Sequence, residues 1–242
     1  MSQQQILQEL APTGVLRAAI NMGNFLLVNG RSQSGDPAGV SPSVAAAIAE
    51  RLGVPVKYVP YAKPSQLADE AGTDKWDIGL IGAEPQRAEK IAFTAAYAEI
   101  EATYMVPAGS SIKTIADVDQ PGVRIAVNAG AAYDLWLARN IKQATLIRPP
   151  KEVKTFDVFV RDSLEAYAAL RPGLIEEVKK LPGARILEGN FATVQQAVGT
   201  AKANVEGARF LHDFVEEAKR SGLIARFIEL HKVVGLSVAG PA

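Results

Sequence analysis

The sequence predicts an α/β protein of two lobes, each a mixed sheet flanked by helices, with two extended strands joining the lobes. Strand and helix patterns alternate from residue 15 to 81 and again from 123 to 199, which is the rhythm of βαβ units and parallel sheets. Extended stretches at 102–109 and 191–199 break that rhythm where the chain would cross from one lobe to the other. A chain of 242 residues is long enough to build two cores. The first lobe is expected to comprise residues 1–104 and 196–242, and the second 105–195.

Each element has a local cause. Residues 3–10 suit a short lead-in helix, stopped by Pro12 and Gly14, and VLRAAIN (15–21) alternates as a strand does. NGRSQSGDPAG (29–39) is dense in turn formers and predicts a loop. SPSVAAAIAERLG (41–53) opens on a serine cap with an early proline and closes on glycine, the marks of a helix. VPVKYVPY (54–61) is a strand, SQLADEAG (65–72) a helix, and WDIGLI (76–81) a strand apolar enough to be buried on both faces. Glu84-Pro85 predicts the start of another helix, with Arg87 in its first turn.

The second alternation begins with strand VRIAVN (123–128), helix AAYDLWLARNI (131–141) and strand ATLIRP (144–149). Helix KTFDVFVRD (154–162), a short apolar stretch LEAYAAL (164–170) and helix PGLIEEVKKL (172–181) follow. RILEG (185–189) and FATVQQAVG (191–199) are strands, and helical patterns at 204–222 and 223–232 would return to the first lobe. No internal repeat stands out. Ligands of open parallel sheets bind beyond the carboxyl ends of the strands, so both lobes would turn those ends toward one cleft that closes by hinge motion.

Composition removes several function classes. Apolar residues make up 48% and charged residues 21%, and Lys plus Arg equals Asp plus Glu at 26 each, so there is no basic footprint for nucleic acid. The absence of cysteine excludes disulfides, thiolate metal sites and cysteine nucleophiles together. The two histidines, His212 and His231, lie in helical patterns near the C-terminus and read as solvated residues rather than metal ligands. Neither a metal nor a cofactor is expected. No apolar run reaches transmembrane length. MSQQQILQELAPTG lacks the features of a secretory leader, which reads as cytoplasmic as the sequence stands and as periplasmic if a leader was removed.

The candidate site starts with Arg87. A helix N-terminus prefers anions, so an arginine in the first turn needs a carboxylate beside it. That carboxylate is either Glu84, three residues back on the same face, or one brought by a ligand, and both can hold in turn. Gly82 and Ala83 end the preceding apolar run and form the backbone of the same turn. Asn21, Asn24 and Phe25 follow the first strand and can donate, accept or floor a ligand, although packing or turn formation explains them equally. Gly130, Ala131 and Ala132 open a helix whose backbone N–H groups can face an anion, or merely make a tight turn. Gln195 and Gln196 sit on the returning strand, where alternation sends one of them inward; Gln195 is taken as the candidate.

The chain resembles the family 3 extracellular solute-binding proteins, which have the type II periplasmic-binding fold. The matching segments are LRAAIN, then GVSPSVAAAIAERLGVPVKYV (39–59), WDIGLIGAEPQRAEKIAFTAAY (76–97) and YMVPAGSSIKTIADVDQPGVRIAVNAGAAYDL (104–135). The resemblance implies that Arg87 grips a ligand carboxylate with two parallel donors. It also implies a monomer that takes a small organic anion or amino acid and serves the membrane subunits of an ABC transporter. Two departures bear on the ligand. Ser43 stands where many members have aspartate, and Leu170-Arg171 lies where amino-acid binders keep the carboxylate that holds an ammonium. Arg171 would then either favour an anionic ligand or simply begin a helix in solvent. Cyclohexadienyl dehydratases resemble these receptors, so an enzyme acting on prephenate or arogenate with Glu84 or Glu165 as acid is the alternative, beside a cytoplasmic ligand sensor.

Overall fold

In the computed structural model, which describes residues 2–150 and 152–242, helix α1 (Gln3–Leu10) precedes strand β1 (Leu16–Asn21). A two-stranded hairpin, β2 (Gly30–Arg31) and β3 (Pro37–Ala38), leads to α2 (Val40–Leu52), β4 (Val56–Tyr61), α3 (Pro64–Asp69) and β5 (Ile78–Gly82). A 3₁₀ turn at Arg87–Glu89 opens into the 16-residue strand β6 (Ile91–Val106). Next come β7 (Arg124–Val127), α4 (Ala132–Asn140), β8 (Thr145–Ile147) and α5 (Thr155–Arg161). Then β9 (Ala166–Leu170), α6 (Arg171–Val178), β10 (Arg185–Ile186) and β11 (Ala192–Ala201) lead to α7 (Val205–Arg220), α8 (Leu223–Leu230) and β12 (Ser237–Val238). Among the described residues no helix is long and apolar enough to cross a membrane.

The chain divides into two compact units, Met1–Glu99 with Gln195–Ala242, and Ile100–Val194. Strands β6 and β11 each pass from one unit into the other. In the first unit β1 runs parallel to β4 and β5, and β11 pairs antiparallel with β5 so that Gln196 faces Gly82. Every residue of β5 is buried, as its continuous apolar run requires. In the second unit β7 is parallel to β8 and β9, while β9 and β10 pair antiparallel with the later part of β6. Its core gathers Tyr104, Ile125, Leu137, Phe159 and Leu174.

Local chemistry sets the boundaries. Gly53 ends α2 in a left-handed conformation (φ 72°), donating its N–H to carbonyls of the last turn. Gly39, at φ 148°, begins the same helix where a Cβ would lie 2.3 Å from the Leu27 carbonyl oxygen, so a side chain is excluded there. The expected helix from Glu84 is absent. Only the 3₁₀ turn forms, because Ile91 onward is drawn into β6. Within the stretch 164–170, Ala166–Leu170 forms strand β9, and the 29–39 loop contains the β2–β3 hairpin.

The two units share a device. In VLRAAIN, Arg17 clamps Asp77 with Nε at 3.0 Å and Nη2 at 2.6 Å, and donates its backbone N–H to the same carboxylate at 2.8 Å. In GVRIAVN, Arg124 clamps Glu165 in the same way, with Nε at 2.9 Å, Nη2 at 2.8 Å and the backbone N–H at 2.8 Å. Each acid directly precedes a parallel strand, β5 or β9. Each guanidinium also reaches the carbonyl of a residue in left-handed conformation, Asp74 or Ser163. The clamps differ in burial, since Asp77 is enclosed and Glu165 is about a third exposed. Asp77→Ala, which strands Arg17, should therefore lower the unfolding free energy in urea by about 3 kcal/mol, with a smaller loss for Glu165→Ala.

Candidate functional site

The carboxyl end of β5 gathers buried polar groups in a unit that is otherwise apolar there. Past Gly82 the chain turns, and the N–H groups of Arg87 and Ala88 both donate to the Glu84 carbonyl at 2.9 Å. This turn draws the side chains of Glu84 and Arg87 inward, leaving them 7% and 6% exposed. The Arg87 guanidinium donates through Nη1 to the Gly82 carbonyl at 2.6 Å. Burial pulls its pKa down to about 10, and the charge of Glu84 works in the opposite direction. The two residues therefore form a buried unit of opposite charges. The cause is a 3₁₀ turn and tertiary burial, not a helix dipole.

Neighbouring strands add amides to this end of the unit. Ala83 donates its N–H to the Gln195 carbonyl at 2.7 Å, which ties the turn to β11. Of the two glutamines it is Gln196 that is enclosed, at 3% exposure, and its Oε1 is buried without a hydrogen-bond partner. Gln195 is only half-buried. The β11–β5 register sets Gln196 opposite Gly82. Alternation indicated that one glutamine turns inward, but choosing between them needed the register. Asn21 and Asn24 are buried too, and each side-chain oxygen accepts a backbone N–H two residues on, at 3.1 Å from Gly23 and from Leu26. Phe25, by contrast, is 51% exposed.

In the second unit the predicted anion turn is already furnished with an internal carboxylate. Gly130, at φ 75°, donates its N–H to Asp134 Oδ2 at 2.9 Å, and Ala131 donates to the Asn128 carbonyl at 3.2 Å. Asp134, buried in the first turn of α4, also receives Arg148 Nε at 2.8 Å on its other oxygen. Ala132 is the first, buried residue of that helix. The Asp134–Arg148 pair was missed in the sequence, although an acid four residues after a glycine that precedes a helix is a capping signal. Arg171 begins α6, as one of the two expectations had it, but it is half-buried and paired rather than free in solvent. It donates through Nε to Glu101 at 2.6 Å and through Nη2 to the Gly189 carbonyl, which also accepts the Thr103 hydroxyl at 2.9 Å.

Two further expectations change. Glu165 is engaged by Arg124, whose hydrogen bonds hold its carboxyl below the usual range, although burial opposes this. His231 is not simply solvated. Its Nε2 lies 2.8 Å from Ser43 Oγ, and its carbonyl accepts Asn29 Nδ2 at 2.8 Å, so Ser43 anchors the end of α8. A cavity of about 530 Å³ beside α1, lined by Gln3, Gln4, Leu7, Gln8, Ala11 and Pro12, contains none of the candidate site residues.

This α/β architecture is that of the type II periplasmic-binding fold. Residues 23–231 match the bacterial extracellular solute-binding proteins, family 3, and the chain belongs to that family. It is similar to a cyclohexadienyl dehydratase of Pseudomonas aeruginosa, 28% identical over 177 residues that cover 68% of this chain and 65% of the dehydratase's length. Among solved structures it is similar to an ancestral amino acid-binding protein described as a precursor of cyclohexadienyl dehydratase. That likeness has a TM-score of 0.71 and 20% identity, covering 93% of this chain and 98% of the other. It is also similar to a putative ABC-transporter binding component from Wolinella succinogenes complexed with lysine, with a TM-score of 0.73 and 18% identity, covering 92% and 97% of the two chains. These structural likenesses establish the fold.

The His231 contact carries a pH signature. Burial lowers its folded pKa below the usual histidine value, so the unfolded chain binds the proton more readily. Stability from this group is thus present above the unfolded pKa and declines as pH falls through it. Urea titrations should show the wild type losing more stability between about pH 7.5 and 5.5 than His231→Gln does.

Proposed function

We propose that this protein is a solute receptor whose first unit anchors the carboxylate of a small metabolite, an amino acid or related organic acid, on Arg87. The observation that carries this is the burial of the Arg87 guanidinium at the carboxyl end of β5. An arginine placed there costs desolvation that a solvent-facing ion pair would avoid, and parallel sheets present ligand groups at that end of their strands. Membership of the solute-binding family supports the receptor role, and the amino-acid-binding proteins among its structural relatives support the ligand class. Delivery to the membrane subunits of an ABC transporter, as a monomer, is the role the family suggests, and the periplasm the compartment. Asn21, Asn24, Phe25, Gly82, Ala83 and Gln195 are the proposed surroundings of the anchored group.

A thermal-shift screen across L-amino acids, 2-oxo acids and dicarboxylates should find carboxylated compounds that raise the melting temperature by mass action. Arg87→Ala should weaken binding of those compounds by about 2–5 kcal/mol in calorimetry. Unchanged dissociation constants would remove Arg87 from the site.

The similarity to a cyclohexadienyl dehydratase supports a second reading, a lyase on the same fold. Glu84, buried beside Arg87, is then the acid that protonates a leaving group next to the gripped carboxylate. Incubation with prephenate and arogenate distinguishes the two. The receptor forms no ultraviolet-absorbing product, whereas an enzyme forms one that Glu84→Gln abolishes.

A further inference from the structure

We propose that Arg171 is a carboxylate-binding group of the second unit in its own right, occupied by the side chain of Glu101 until a small organic carboxylate from solution displaces it. Strand pairing brings the two together. Ala102 of β6 lies opposite Leu170 of β9, so Glu101 and Arg171 are the next residues beyond that end of the ladder. Their side chains are 51% and 27% exposed, at the carboxyl end of β9, where parallel strands present ligand groups.

The contact differs in kind from the two arginine clamps at the amino ends of the strands. Arg17 and Arg124 each engage both oxygens of their acid, with Nε and Nη2, and add a backbone N–H. Arg171 reaches one oxygen of Glu101 through one nitrogen, Nε, at 2.6 Å. Its Nη2 donates to the Gly189 carbonyl, and the two N–H groups of Nη1 have no partner among the described residues. The pair is an incomplete one.

The guanidinium is nevertheless held in place. The Gly189 carbonyl that receives Nη2 also accepts the Thr103 hydroxyl at 2.9 Å, and Thr103 is fully buried. Gly189 itself adopts a left-handed conformation, φ 75°. The backbone thus orients Arg171 whether or not Glu101 is engaged, so an incoming carboxylate finds its donors already aimed.

Exchange is balanced in charge, since one carboxylate leaves the guanidinium for water and another takes its place. A half-exposed carboxylate held by one hydrogen bond gives up little on release. A guest using Nη1 and Nη2 gains the planar, two-pronged match that Glu101 does not make. Because the resident group is a carboxylate, it also sets the class of guest.

Succinate is the probe, titrated at constant ionic strength with sodium chloride as the control. Heteronuclear NMR follows the Arg171 Nε–H, assigned by its loss in Arg171→Gln, together with the backbone amides of Thr103 and Gly189. The wild type should give a saturable shift that chloride does not. Glu101→Gln, a change on an exposed side chain, should lower the half-saturating concentration about threefold to fivefold by removing the internal competitor. At the two amides that gain should vanish when Arg171→Gln is added. It should persist in Arg87→Ala, since the site belongs to the second unit alone, and melting curves check that every variant is folded. A shift no larger than that with chloride, or a half-saturation unchanged by Glu101→Gln, overturns the proposal. So does a gain that survives Arg171→Gln or disappears with Arg87→Ala.

Discussion

An arginine at the start of a parallel strand, second in β1 and first in β7, is clamped by side chain and backbone to the acid that precedes a neighbouring strand and sets the frame of each unit. Arg17 with Asp77 fixes where β5 starts relative to β1, and Arg124 with Glu165 does the same for β9 and β7. Both clamps sit at the amino ends of the strands. They satisfy the charges there with planar, two-pronged geometry and leave the carboxyl ends for other work. A slip of one residue in either register would turn the inward face of a strand outward. In the first unit it would also change which glutamine of β11 lies opposite Gly82.

Fixed registers explain how buried polar groups come together beyond β5 without a regular helix to present them. The turn after Gly82 is short because β6 claims the chain from Ile91. Arg87 therefore has no room to extend into solvent on a helix surface, and Glu84 is folded in beside it. A buried opposite-charge pair contributes little to stability when its desolvation is counted. Its position at the carboxyl end of the strands fits a site better than a scaffold. In the second unit the same economy of charge holds at Asp134, which caps the Gly130 N–H and receives Arg148.

Much of the fold was legible because its signals are local. Alternation in LRAAIN, the serine, proline and glycine punctuation around 41–53, and the apolar run before Gly82 each act over a few residues. The errors fall where a distant partner decides. The segment from Glu84 has a helix-start signature, yet strand pairing captures the residues that would continue it. The β2–β3 hairpin and β12 are two-residue strands that depend wholly on their partners. His231 has the sequence context of a solvated helix residue and is instead held by Ser43, 188 positions away in the chain.

By itself the sequence determined the alternating architecture, the family resemblance and the identity of Arg87 and Glu84 as a charged pair three residues apart. Periodicity, punctuation and spacing are properties of the chain, so they survive without coordinates. Only the tertiary structure decided that the pair is buried, that Gln196 rather than Gln195 is enclosed, and that Arg171 and Glu165 are occupied by internal partners. Burial, register and partner choice depend on residues tens to hundreds of positions apart.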